Sequence, residues 1–161
     1  MTALVAVAST ATPAFASSTP KVSPSFVKKV DASCTGFASS FNRAGESTFP
    51  YPTFNPTKPQ RSLLKKVGHY FDKGARLWEA VPGKLRGLGV PTRGAATWTK
   101  LRALADRLAE DAVTQARTAT AGNARKFVAA VKEYTAVLEK LNAAARAAGF
   151  GAKSACAKFF G

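Results

Sequence analysis

The chain has 161 residues, 46% of them hydrophobic, which suits one domain with a real core. Lys and Arg number 24 against 9 Asp and Glu, a net charge of +15 that favours solubility and attraction to anionic surfaces but says little about fold. No segment approaches the roughly 20 apolar residues of a membrane-spanning helix. With one histidine and two cysteines the chain is short of ligands for a zinc site.

The first twenty residues, M-T-A-L-V-A-V-A-S-T-A-T-P-A-F-A-S-S-T-P, carry no charged side chain. Leu4 to Ala8 is a short apolar run, and Ala14-Phe15-Ala16 is a small-x-small site of the kind signal peptidase cuts. Residues 1–22 therefore read as a signal-like leader, cleaved or disordered, and residues 23–161 as a single helical domain that is secreted or held in the cell envelope. No Lys or Arg precedes the apolar run, so either the signal is atypical or the start is placed late. The competing reading is a flexible leader with no targeting role.

Phe26, Val30, Cys34, Phe37 and Phe41 are spaced four, four, three and four apart, one stripe of a first helix. Pro24 occupies the first turn, where proline is tolerated, after Ser23 as a cap. Cys34 then points into the core with the phenylalanines. The other cysteine, Cys156, lies close to the C-terminus. In an exported protein two such thiols are expected to pair. Closing so long a loop stabilises by about 5 kcal/mol in the chain-entropy treatment. Two unconnected thiols in a cytosolic protein are the alternative.

F-P-Y-P-T-F-N-P-T-K-P, residues 49–59, holds four prolines and excludes the interior of a helix or sheet. It reads as a connector with polyproline character. Its rings, Phe49, Tyr51 and Phe54, are expected to fold back over one end of the core rather than to bind a partner.

Residues 60–81 predict the clearest helix. Leu63, Leu64, Val67, Tyr70, Phe71, Leu77, Trp78 and Val81 form one face, with Arg61, Lys65, His69, Lys73 and Arg76 opposite. A Gly/Pro-rich turn is expected over 81–92. Its G-K-L-R-G-L-G run is no phosphate loop, because no strand precedes it and G-x-x-x-x-G-K-[ST] is absent. A third helix is expected from about Arg93 to Thr120, with Trp98, Leu101, Ala105, Leu108, Ala112 and Ala119 inward. Arg102 to Asp106 and Arg107 to Asp111 are i,i+4 pairs along it. A fourth helix runs from about Ala124 to Ala148 on Phe127, Val128, Val131, Tyr134, Leu138, Leu141 and Ala145, and Gly149 stops it. A short last turn presents Cys156, Phe159 and Phe160. The expected fold is all-α: an up-and-down four-helix bundle closed by one terminal disulfide, Cys34 to Cys156.

The exported first helix with its cysteine, the proline-rich connector, the P-x-x-L…G-V-P break and the A-x-x-A-G-F-G…A-C ending resemble small exported helical proteins of actinobacteria, of hypothetical or lipoprotein type. The likeness covers about residues 26–158 and implies no catalytic activity. Cys34 follows no lipobox, so no lipid attachment is expected there.

Catalysis is not expected. His69, the only histidine, lies on a polar helix face, and Asp106, Glu110 and Asp111 are flanked by Arg102 and Arg107, which points to surface pairing. Glu-x-x-His repeats of the di-iron kind are absent, and neither a cofactor nor a small-molecule substrate is expected. Two roles remain. One is a binding module for anionic polymers of the cell envelope, lipid head groups or nucleic acid, with Arg61, Lys65, Lys66, Lys73, Arg76, Lys84 and Arg86 as contacts. The other is a structural or protein-interaction bundle whose charge serves only solubility. Nucleic acid is the weaker partner, since no helix-turn-helix, RRM or finger signature is present.

Overall fold

The computed structural model describes residues 21–46 and 54–151, and all regular structure among them is helical. Four helices, α1 (Pro24–Glu46), α2 (Arg61–Gly87), α3 (Ala95–Thr120) and α4 (Ala124–Ala148), pack against one another. The expectations for residues 1–20 of the leader, Phe49, Tyr51, Cys156 and the last turn lie outside the described residues, as does the side chain of Phe41.

α3 is the central element. Its inward residues include Ala105, Ala109, Ala112, Ala116 and Ala119, all buried. Side chains this short let α2 and α4 approach α3 closely from two sides. The short turns 88–94 and 121–123 make α3 antiparallel to both. At the tightest crossing Gly68 of α2 meets Thr120, where a Cβ would lie 3.0 Å from Thr120 Cα. α2 and α4 meet chiefly through rings, with Phe71 and Phe127 centroids 5.0 Å apart and Trp78 and Tyr134 centroids 6.2 Å apart.

α1 starts at the end where α2 and α4 finish. Val22 N–H donates to Ala148 O at 3.0 Å, and Ser23 O accepts from Val27 N–H to open the helix at Pro24. Phe26 packs edge-on to Trp98 at 5.0 Å. Val30, Cys34 and Phe37 are buried, as their spacing predicts. The opposite end of the core, Leu64, Val67, Ala119 and Phe127, is covered by Phe54 of the connector, whose ring lies 5.9 Å from Phe71 and 6.1 Å from Phe127. Phe54 thus folds back as expected. Asn55 then turns the chain by accepting bonds at Oδ1 from the Thr57 N–H and hydroxyl.

One boundary differs. α2 does not stop at Val81 but continues through Pro82 to Gly87. Proline loses one backbone hydrogen bond in a helix interior, which argues for a break. Here Val81, Pro82 and Leu85 are all buried, and Leu85 extends the stripe by a full turn. The burial of Leu85 and of the proline ring outweighs the missing bond. The true turn begins at Leu88, with Gly89 at φ +83° and its carbonyl accepting from Trp98 Nε1 at 2.9 Å.

The fourth helix ends as expected. Asn123 caps its start, accepting at Oδ1 from Lys126 N–H at 3.1 Å. Gly149 takes φ +102° at its end, while Phe150 N–H reaches back to Ala145 O at 3.1 Å.

Candidate functional site: the basic face of α2

All seven predicted anion contacts sit on α2 and are exposed, but they do not form one face. At 100° per residue, Lys66, Lys73 and Lys84 fall within about 20° of one another. Arg61, Lys65, Arg76 and Arg86 form a second, broader line about 80° wide, turned toward α3. That second line is interleaved with acids. Arg76 pairs with Asp72 at 3.0 Å, and Arg86 reaches across to Asp106 of α3 at 3.0 Å. The Lys65 stem lies over Gly122, where a Cβ would come within 2.7 Å of it; an exposed lysine can swing aside, so it is the positive φ of +64° that calls for glycine in the turn before α4.

Two shallow grooves of about 680 and 650 Å³ run along this α2–α3 seam. They share Glu79, Val113 and Arg117, and Asp72, Asp106 and Glu110 border them too. Acids and arginines alternate there, so the charges of the seam largely offset one another.

The lysine line is different. Lys66 and Lys73 make no ion pair among the described residues, and Lys84 stands over the Phe37 ring at 5.0 Å from its centroid. Along the axis the steps are about 10 Å and about 16 Å. Sequence reasoning held all seven residues in one group. The helical wheel alone separates the two lines, but the Asp106 partner from α3 was invisible to it.

The carboxylates have their own order. Asp106 does not pair with Arg102, as the i,i+4 spacing suggested, because Arg86 of α2 takes it. Arg102 Nε is buried with no hydrogen-bond partner among the described residues. Arg107 Nε lies 3.3 Å from Asp111 Oδ1, as predicted, but Asp111 is not a surface residue: it is 5% exposed, and its Oδ2 has no hydrogen-bond partner among the described residues. Burial pushes its carboxyl above the ordinary value, against the pull of Arg107, and Glu133 and Glu110 push the same way. His69 is exposed, with Nδ1 3.0 Å from Lys66 O.

Among the described residues no group of three or more His, Cys, Asp or Glu is placed to hold a metal ion, and no helix is long and apolar enough to cross a membrane. No protein-family model, curated protein or solved structure matches the chain. The likeness to exported actinobacterial proteins therefore rests on the sequence motifs alone.

Proposed function

We propose that this protein is a non-catalytic, secreted or envelope-associated module that binds anionic polymers through the Lys66–Lys73–Lys84 line. One observation carries the reading. On a chain of net charge +15, these three lysines form a straight exposed row that makes no ion pair among the described residues, while Arg76 and Arg86 are neutralised by Asp72 and Asp106. Binding would proceed by charge attraction and counterion release, and so weaken steeply with salt.

A disulfide between Cys34 and Cys156 belongs to the same reading. Cys34 is fully buried and no described cysteine is free, while the chain holds only two. Phe150 lines one small cavity together with Val30, which lies a helical turn before Cys34. Six residues of extended chain span up to about 20 Å, ample for Cys156 to reach α1.

Retention on a heparin column against a salt gradient tests the binding claim. Lys66→Glu with Lys73→Glu and Lys84→Glu is expected to abolish retention near physiological salt. Arg76→Glu with Arg86→Glu reverses two paired charges on the other line, against three in the lysine row, and is expected to leave most of it. If the two variants lose retention in proportion to charge alone, the row is no binding face and the positive charge serves solubility.

A further inference from the structure

The apolar faces of α2 and α4 are not closed against each other along their whole length. Tyr134 lies in the middle of the α4 apolar stripe, and Phe71 in that of α2, yet both are only half-buried. Between the Phe71–Phe127 and Trp78–Tyr134 ring contacts the two helices leave a crevice of about 270 Å³. Its walls are Tyr70, Phe71, Trp78 and Tyr134, and Gln115 of α3 lies at its floor. A Cβ added at Gly74, on its rim, would meet nothing within 4 Å.

We infer that this crevice receives an unstacked base of a single-stranded nucleic acid, with the flanking phosphates on Lys66 and Lys73. The inference rests on the anionic-polymer reading and narrows it to one polymer. Three features select a base. The volume suits one planar ring system rather than an extended ligand, being below the usual range for drug-sized molecules. The walls are aromatic, which gives stacking or edge contacts to any base. Among the described residues no charged side chain lines the crevice, so the group that enters is neutral, while the charges it is tethered to stay outside.

Position agrees with chemistry. Lys66 and Lys73 are the i−4 and i+3 neighbours of Tyr70 on α2, so both flank the outer side of that wall without lining the crevice. At the floor the Gln115 amide is spent only on a bond at the distance limit, Nε2 to Ala130 O at 3.5 Å. A carboxamide offers one donor and one acceptor, the pattern that matches a base edge. A lipid tail has no use for that amide, and a polyol-phosphate polymer has none for four rings.

The test is fluorescence anisotropy on the full chain with a labelled single-stranded oligonucleotide and an abasic oligomer of equal length and charge. The natural strand is expected to bind at least about fivefold tighter than the abasic one, the effect of one stacked base. Gly74→Leu, which fills the crevice from its open rim, is expected to erase that difference and leave abasic binding unchanged. Tyr70→Ala is expected to reduce it without adding volume, and melting curves check that both variants fold. Equal binding of both strands to the unmodified protein overturns the inference and leaves the anionic-polymer reading standing. A preference for the natural strand that survives both variants overturns the crevice as its place. No salt-dependent binding of either strand overturns the anionic-polymer reading with it.

Discussion

The Asp111 carboxylate is held between α3 and α4 with Arg107 on one oxygen and no hydrogen-bond partner on the other among the described residues. Its folded-state pKa lies above the ordinary 3.8, chiefly through burial. The sign follows from linkage. Below 3.8 the carboxyl is neutral folded or unfolded and burial brings no ionisation penalty. As pH rises through the raised value the unfolded chain releases its proton more readily, and stability is lost. Asp111→Asn keeps the shape and removes the titration. Its melting temperature relative to the unmodified protein is expected to be higher at pH 7 than at pH 3. A difference that stays flat across that range would show that the site does not titrate with folding. Tyr134 shows the same physics at the other end of the scale: burial raises its phenol to about 12, against a hydrogen bond from the Trp78 indole, so it stays neutral at physiological pH and belongs to an uncharged crevice.

At the scale of elements, glycine has opposite meanings at two positions. Gly74 lies inside α2 with open space where its Cβ would be. Gly74→Ala is expected to stabilise the protein by about 0.5–1 kcal/mol, the ordinary cost of glycine in a helix interior. Gly94 caps α3 at φ +78°, and a Cβ there would stand 2.8 Å from Lys21 O and 2.9 Å from Val22 Cα. Gly94→Ala is expected to destabilise by about 1 kcal/mol or more, since both the backbone region and the seat of residues 21–22 are disturbed. Urea denaturation of the two variants decides it, and a shared sign would refute the contrast. Pro82 belongs at this scale too. In sequence it reads as a stop, yet the partners of Val81 and Leu85 keep the helix going.

At the scale of the molecule, α1 is the least attached helix, touching mainly the C-terminal part of α2, and the proposed Cys34–Cys156 bond would fasten it. Intact-mass measurement of the protein purified without reductant is expected to show a chain two hydrogens lighter than after reduction. Cys156→Ser is expected to lower unfolding free energy by a few kcal/mol, toward the roughly 5 kcal/mol of the loop-closure treatment. An unchanged mass on reduction would sink both the bond and the argument for an oxidising compartment that rests on it.

The four helices were legible because each carries its own apolar stripe and stop signals. Trp98, Leu101 and Leu108 repeat at helical spacing and are buried, and Gly149 ends α4 where expected. Those properties are local, set by side-chain order and backbone freedom within a few residues. Three features were not legible: which arginines were neutralised, that Asp111 was inside, and that Tyr134 was only half-covered. Each depends on a neighbour far along the chain — Arg86 meeting Asp106, α4 lying over Asp111, α2 standing off from α4 at Gly74. Periodicity assigns a face to every residue but not what stands opposite it, and charge neutralisation, desolvation and open space are all properties of that opposing surface.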